Sequence, residues 1–128
     1  MVNPRFKRVL IVEDDAPSAR LMAELLTREG FGVRVARGAD EALAILPEFR
    51  AQMVVLDLVL PGRSGLLLAR ELKAGPLTQD LMLVAVSPLD GPDVERLARQ
   101  AGCAAYLPRP IDSQTFARTL ASHLMEQP

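Results

Sequence analysis

Two strongly apolar segments of the chain end abruptly in carboxylates. Residues 9–12 (Val-Leu-Ile-Val) lead into Glu-Asp-Asp, and residues 53–56 (Met-Val-Val-Leu) lead into Asp57. Short apolar segments rich in β-branched residues are typical of strands that are buried on both faces of a parallel sheet. In such sheets, ligands bind beyond the carboxyl ends of the strands, near the point where the strand order reverses. The two segments therefore predict a sheet with an acidic site at one edge.

Strand-like and helix-like segments alternate along the whole chain. The predicted strands cover 8–12, a short segment around Val33 and Val35, 52–56, 81–86 and 104–107. The predicted helices cover 16–29, 40–49, 65–73, a segment that opens at Asp90-Gly91-Pro92 and runs to about Gln100, and 112–125. A turn at Pro61-Gly62 separates the third strand from the third helix. Five alternating pairs predict an α/β fold with a parallel sheet and helices on both faces.

Apolar spacing also predicts the apolar faces of the helices. Leu21, Leu25 and Leu26 share one face of the first helix, the second helix carries Ala42, Leu43, Ile45 and Leu46, and the last helix places Phe116, Leu120 and Leu124 inward. Residues three or four apart lie on one side of a helix, so each set forms an apolar stripe.

Right-handed crossovers leave few arrangements for such a chain. The best of them is the flavodoxin-like (βα)5 sandwich, with a five-stranded sheet of order 2-1-3-4-5. That order places the first and third strands side by side and brings Glu13, Asp14 and Asp57 together. Because carboxylates this close repel one another, the cluster calls for a cation or for shifted pKa values. The sequence therefore predicts a divalent metal site.

Length and composition limit the function further. The 128 residues predict a single domain covering 1–128. A net charge of −1 without a basic cluster argues against direct nucleic-acid binding. The single Cys103 excludes an internal disulfide. Because no apolar stretch is long enough for a signal peptide or a membrane span, we expect a cytoplasmic chain without membrane contacts.

Four motifs together resemble a known family. They are Val-Glu-Asp-Asp at 12–15, Leu-Asp-Leu-Val-Leu-Pro-Gly at 56–62, Ser87 after the fourth strand, and Tyr-Leu-Pro-Arg-Pro at 106–110. In this order and spacing they are similar to the receiver domain of two-component response regulators, the CheY-like domains. The resemblance covers nearly the whole chain.

The resemblance implies that the domain takes part in a phosphorelay. A sensor histidine kinase or a phosphotransfer protein would pass a phosphoryl group from a phosphohistidine to Asp57. The resemblance also implies Mg²⁺ as cofactor, with Asp14 as a direct ligand, Glu13 acting through water, and Asp57 and the carbonyl of Val59 completing the protein ligands. Such a site suits Mg²⁺, which keeps several waters and takes few carboxylates plus a phosphate.

The resemblance assigns the response to phosphorylation to two further residues. Ser87 matches the hydroxyl that donates a hydrogen bond to the phosphoryl group. Tyr106 matches the aromatic side chain that then turns inward. This movement would alter the face formed by the fourth helix, the fifth strand and the fifth helix, to which a downstream output protein or domain would bind.

Two residues depart from the family pattern. Arg109 stands where the family has a lysine, and a planar guanidinium does not replace a compact ammonium conservatively. It could bind the phosphoryl group, pair permanently with Asp57, or point into solvent. Pro88 follows Ser87 and has no N–H to offer a phosphoryl oxygen. The Arg109-Pro110 peptide matches a Lys-Pro pair that is usually cis in the family.

These departures leave a second function open, namely a receiver-like interaction module that works without phosphorylation. An enzyme of flavodoxin-like fold is a third alternative. Its loop after the first strand should bind a cofactor phosphate, whereas here that loop is Glu-Asp-Asp-Ala-Pro and would repel one. We therefore expect a domain that is not an enzyme. The sequence leaves open the cognate kinase, the output, the oligomeric state and whether the domain belongs to a longer regulator.

Overall fold

A computed structural model describes residues 7–60, 62–88 and 91–125 of the chain. Within these ranges the strands are β1 (Arg8–Val12), β2 (Gly32–Ala36), β3 (Met53–Asp57), β4 (Val59–Leu60), β5 (Arg63–Ser64), β6 (Met82–Ser87) and β7 (Ala105–Pro108). The helices are α1 (Ala16–Arg28), α2 (Ala39–Phe49), α3 (Gly65–Ala74), α4 (Pro92–Gln100) and α5 (Phe116–Met125).

Five strands form one parallel sheet in the order β2-β1-β3-β6-β7. This is the predicted flavodoxin-like order, with β6 and β7 as the fourth and fifth strands of the sequence prediction. In the register of the β1–β3 pair, Val12 lies opposite Leu56, so both strands reach the same edge before their acidic residues begin. The strand order reverses between β1 and β3, and a crevice is expected at the carboxyl ends of these two strands.

Alternate residues of the strands support two separate cores. Leu10, Val54 and Leu83 point toward the side covered by α2, α3 and α4. Val9, Val55 and Val84 point toward the opposite side, covered by α1 and α5. Successive residues of a strand point to opposite faces, and the β-branched side chains fill both. The sheet is therefore the rigid middle layer of three.

The ends of two helices near the acidic edge have clear local causes. Asp15 caps α1, its carboxylate accepting a hydrogen bond from the Ser18 N–H at 3.0 Å, and Pro17 occupies the first turn. The hydrogen bond from Ser18 keeps the pKa of Asp15 below its ordinary value. Ser64 caps α3 in the same way, accepting from the Leu66 N–H at 3.1 Å. Both caps fix the direction in which the chain leaves the sheet edge.

Several details differ from the sequence prediction. Leu21 and Leu43 are 42% and 37% exposed, so the apolar stripes of α1 and α2 are wider than the faces that these helices bury. On α1 the buried face consists of Ala19, Met22 and Leu26, one step around the helix from Leu21. The helical segment predicted from residue 112 begins at Phe116, because 113–115 form a turn in which Asp112 accepts from the Gln114 N–H. Phe116, Leu120 and Leu124 are buried as predicted.

The connection between β3 and α3 contains a small antiparallel hairpin, β4–β5, which the sequence did not predict. Arg63 in this hairpin pairs with Glu71 of α3 and lies 3.4 Å from Asp40 of α2. Pro61 of the predicted turn and Asp90 of the predicted helix start lie outside the described residues, whereas Gly62 has the positive φ of +73° that such a turn requires.

Among the residues that the structure describes, no helix combines the length and apolarity needed to cross a membrane.

Candidate functional site

The three predicted carboxylates meet at the carboxyl edge of the sheet. Glu13, Asp14 and Asp57 each place one carboxylate oxygen within 4.8 Å of the others. Glu13 and Asp57 are buried, whereas Asp14 is exposed. The cluster forms because β1 and β3 are neighbours and end at the same level. In the described part of the chain it is the one group of acidic, histidine or cysteine side chains close enough to hold a metal ion.

Glu13 is held from three sides. Its backbone N–H donates to the carbonyl of Ala36 at 2.9 Å, which continues the β1–β2 pairing past the end of the strand. Its Oε2 accepts a hydrogen bond from the Asp15 N–H at 3.2 Å, and its Oε1 pairs with Arg109 Nη2. With 2% exposure, the Glu13 carboxylate is directed inward and has a partner at each oxygen.

Asp57 is the last residue of β3 and is 7% exposed. Its Oδ1 accepts a hydrogen bond from the Val59 N–H at 2.9 Å, and its Oδ2 lies 3.7 Å from Arg109 Nη2. Burial raises the pKa of the Asp57 carboxyl above its ordinary value, the hydrogen bond from Val59 opposes this, and the charge of Asp14 adds to the increase. A positive charge close to Asp57, such as the Arg109 guanidinium, therefore favours its ionised form.

Arg109 points into the cluster, so the alternative in which it extends into solvent is wrong. Its side chain is 19% exposed, and its guanidinium lies between Glu13 and Asp57. The backbone N–H of Arg109 donates to the Ser87 carbonyl at 2.9 Å, which fixes the base of the side chain at the same edge. Burial lowers the pKa of Arg109 from its ordinary value, although a guanidinium stays charged in proteins. The Arg109-Pro110 peptide is cis, as expected.

The remaining predicted residues surround this group. Ser87, fully buried, ends β6, and Leu58, next to Asp57, donates to the Val86 carbonyl at 3.2 Å. Tyr106 lies on β7 opposite Ala85 and packs partly buried against the core on the α2–α4 side. Pro88 is exposed directly after Ser87.

Neither lysine of the chain reaches the acidic edge. Lys73 Nζ donates to the carbonyls of Gln79 and Leu81, at the start of β6 and thus at the opposite edge of the sheet. Lys7 directly precedes β1, also at that opposite edge. Arg109 is therefore the basic side chain that supplies positive charge to the cluster in the described residues.

An open cleft of about 430 Å³ adjoins the cluster. Its lining includes Ser18 and Leu21 of α1, Pro88 and Arg109. The exposure of Leu21 is explained by this position, since its side chain lies on the wall of the cleft rather than in the core.

Sequence analysis missed one residue that positions the site. Gly65 opens α3 and donates its N–H to the Leu58 carbonyl at 3.1 Å. A Cβ at this position would overlap the Asp57 carbonyl oxygen and lie 2.7 Å from the Leu58 Cα. The absence of a side chain lets α3 approach the end of β3 closely. The signal was available, because a glycine directly after a cap residue such as Ser64 indicates a close backbone approach.

The donor set fits a small divalent cation. Mg²⁺ binds oxygen ligands at about 2.1 Å, so opposite ligands lie about 4.2 Å apart. The carboxylate oxygens of the cluster lie within 4.8 Å of one another, which is compatible with ligands of one such ion. The charge of the cluster and the burial of Asp57 both favour a cation there.

The chain is similar to known proteins along most of its length. The family model of the response regulator receiver domain matches residues 9–121. The polar-differentiation response regulator DivK of Brucella anthropi is 32% identical over 118 residues, which cover 92% of this chain and 96% of DivK. DivK of Brucella ovis is 31% identical over the same length.

Solved structures show the same fold. A CheY-like response regulator receiver domain protein from Methanospirillum hungatei superimposes with a TM-score of 0.85 at 25% identity, covering 94% of both chains. The chemotaxis response regulator CheY4 of Vibrio cholerae has a TM-score of 0.84 at 20% identity, covering 91% of this chain and 97% of CheY4. The chain belongs to the family of response regulator receiver domains.

Proposed function

We propose that this receiver domain accepts a phosphoryl group on Asp57 in a Mg²⁺-dependent reaction and transmits the change to a partner protein. The observation that carries the proposal is the meeting of Glu13, Asp14 and Asp57 at the edge where β1 and β3 end. Asp57 accepts a hydrogen bond from the Val59 N–H and lies 3.7 Å from the guanidinium of Arg109.

In the proposed reaction, a carboxylate oxygen of Asp57 forms a bond to phosphorus while the phosphorus–nitrogen bond of a phosphohistidine breaks. The histidine keeps the electron pair of that bond and takes up a proton. Bound Mg²⁺ would neutralise the phosphoryl oxygens and align the group for attack. Asp14, Asp57 and the Val59 carbonyl would hold the ion, with Glu13 acting through water.

This chain's own residues supply the rest of the site. Ser87 would donate its hydroxyl to a phosphoryl oxygen from the end of β6, and Arg109 would add a charge-assisted hydrogen bond. Pro88 contributes no backbone N–H, so Arg109 and Ser87 would carry more of the binding than in a site with that donor. The phosphodonor, a histidine kinase or phosphotransfer protein, would approach along the cleft beside Leu21 and Arg109.

The proposed output surface is formed by α4, β7 and α5. The described residues of α4 are mostly exposed, and Ala98 is the one that is buried. Two ion pairs, Arg96–Asp93 at 3.2 Å and Arg99–Glu95 at 3.3 Å, lie along it. Arg99 also donates to the carbonyl of Ala104, just before β7. Because this hydrogen bond joins α4 to the start of β7, a movement of Tyr106 on β7 would also change the surface of α4.

A stable phosphoryl mimic provides the test. Beryllofluoride with Mg²⁺ is expected to shift the backbone amide NMR signals of Ser87, Tyr106 and the residues of α4, and EDTA should abolish the effect. Asp57→Asn is the matched control because it keeps the size of the side chain and removes its charge. Unchanged spectra in the folded wild type would overturn the proposal.

One observation favours the second function, a partner-binding module that does not use phosphate. Arg109 already occupies the acidic cluster, on the side where a phosphoryl group would be neutralised. In that case the output face would bind its partner equally well with Asp57 or Asn at position 57, and beryllofluoride would leave the binding unchanged.

A further inference from the structure

The hairpin β4–β5 carries one of the proposed metal ligands, the carbonyl of Val59. Each of its strands has two residues, and Val59 lies opposite Ser64 in the antiparallel register. A two-stranded hairpin of this length is marginally stable by itself. The position of the Val59 carbonyl at the acidic edge therefore depends on the contacts that attach the hairpin to the rest of the protein.

Backbone hydrogen bonds fix the open end of the hairpin next to the sheet. The Val59 N–H donates to Asp57 Oδ1 at 2.9 Å, and the Gly65 N–H donates to the Leu58 carbonyl at 3.1 Å. Both bonds lie where the hairpin joins β3 and α3. The outer residue pair of the hairpin, beyond these bonds, is therefore held by other contacts.

The side chains of this outer pair attach the hairpin to two helices. Leu60 is 8% exposed and packs in the core on the α2–α4 side. Arg63, opposite Leu60, pairs through Nη2 with Glu71 of α3, and its Nη1 lies 3.4 Å from Asp40 of α2. The planar guanidinium presents several donors in a fixed fork, so one side chain can contact both carboxylates at once. Arg63 thus joins the hairpin to α2 and α3.

We propose that Arg63 is a positioning residue of the metal site, which holds the hairpin against α2 and α3 and thereby keeps the Val59 carbonyl in place for a divalent cation. The inference rests on the proposed Mg²⁺ site and adds to it a residue that acts through the hairpin backbone. Coulomb's law alone gives the opposite expectation, because a positive charge near a cation site weakens cation binding. The sign of the effect of Arg63 on Mg²⁺ affinity therefore distinguishes positioning from simple charge repulsion.

Mg²⁺ affinity, measured by calorimetry, tests the role of Arg63. Arg63→Gln removes both ion pairs, whereas Glu71→Gln removes the pair with α3 and leaves the arginine in place. Arg63→Lys keeps the charge on a side chain without the guanidinium fork. Arg70→Gln is the matched control, because Arg70 is exposed on the same helix as Glu71 and its loss changes the net charge by the same amount.

Arg63→Gln and Glu71→Gln should each weaken Mg²⁺ binding about threefold, the scale expected for the loss of an exposed ion pair. Because the two side chains act through one contact, the double variant should bind about as weakly as Arg63→Gln alone. Arg63→Lys can still reach one of the two carboxylates, so its affinity should lie between those of Arg63→Gln and wild type. Arg70→Gln should not weaken Mg²⁺ binding.

Amide hydrogen exchange in EDTA reports on the hairpin directly. In Arg63→Gln the N–H groups of Val59 and Gly65 should exchange faster than in wild type, because the hairpin opens locally more often. The N–H groups in the middle of β1 and β3 should exchange at the wild-type rate. Faster exchange throughout the protein would mean that Arg63 stabilises the whole fold, and it would contradict the local role.

The inference is overturned if folded Arg63→Gln binds Mg²⁺ as tightly as wild type or more tightly, or if Arg63→Lys binds no better than Arg63→Gln. If Arg63→Gln does not fold, the comparison moves to Glu71→Gln, for which wild-type affinity has the same meaning. Failure of wild type to bind Mg²⁺ would overturn the proposed metal site and this inference with it. Equal binding by wild type and every variant would overturn the inference alone.

Discussion

Replacing Asp57 by Asn should stabilise the metal-free protein. The Asp57 side chain is 8% exposed, and burial raises the pKa of its carboxyl, which means that the folded state disfavours the ionised form. Asparagine keeps the carbonyl oxygen that accepts from the Val59 N–H at 2.9 Å. The substitution therefore removes a buried charge and retains its hydrogen bond.

The magnitude follows from three opposing effects. Repulsion by Asp14, at up to 4.8 Å, and attraction to Arg109, at 3.7 Å, are of similar size at any one dielectric constant and nearly cancel. The charge of Glu13 is itself paired with Arg109. The third effect is the cost of burying the ionised carboxylate, which Asp57→Asn removes. The variant should therefore gain about 1 kcal/mol in unfolding free energy over wild type. For a domain of this size that corresponds to about 4 °C in melting temperature.

The pH dependence has a definite sign. Because the folded pKa of Asp57 lies above its ordinary value, wild type loses stability relative to the variant as pH rises through the interval between the two values. The advantage of Asp57→Asn should be absent below about pH 3.9 and complete near neutrality. In Mg²⁺, wild type should become more stable than Asp57→Asn, because only wild type keeps the full set of metal ligands.

Thermal denaturation in EDTA, repeated across this pH range and then with Mg²⁺, measures both effects. Asp80→Asn is the control, since Asp80 is exposed in the turn before β6 and its substitution should change stability by less than about 0.5 kcal/mol. The reasoning is refuted if Asp57→Asn melts below wild type in EDTA at neutral pH, or if its advantage is largest at low pH.

Three further substitutions or reactions test the packing around the site. Leu83→Ala, at a fully buried position of β6, should cost about 3 kcal/mol in urea unfolding, whereas Leu77→Ala, at a position 96% exposed, should cost less than about 0.5 kcal/mol. Gly65→Ala should lower the unfolding free energy by about 2 kcal/mol and weaken Mg²⁺ binding, because the added Cβ meets the backbone of Asp57. If the variant equals wild type in stability and Mg²⁺ affinity, α3 can move away from β3. Burial raises the pKa of the Cys103 thiol to about 11. A thiol reagent at neutral pH should therefore react far more slowly with the folded protein than with the unfolded protein. Equal reaction rates would contradict the buried position of Cys103.

The fold could be predicted from the sequence because its signals are local and periodic. The segments 9–12 and 53–56 are apolar on both faces, and the turn residues between elements separate them clearly. Handedness then restricts the order of the strands. Apolar spacing was less informative for α1 and α2, where Leu21 and Leu43 belong to stripes wider than the buried face. The hairpin β4–β5 has two residues in each strand, too few for a period to be visible.

The candidate site was predictable in its acidic half and less so in its basic half. Carboxylates at the ends of neighbouring strands must meet, whatever the details of packing. The partner of Arg109 depends instead on a long side chain that can reach several groups, and three destinations were compatible with the sequence. Its main partner, Glu13, emerges only from the positions of the loop after β7 and the end of β1. Gly65 was overlooked for a similar reason, since its role is a contact between distant backbone atoms.

The most direct test of the central claim is intact mass measurement after incubation with acetyl phosphate and Mg²⁺. The account predicts a mass gain of one phosphoryl group, located on Asp57 by peptide mapping, absent in EDTA and absent in Asp57→Asn. A folded protein that binds Mg²⁺ but gains no mass, or that is labelled at a residue other than Asp57, would contradict it.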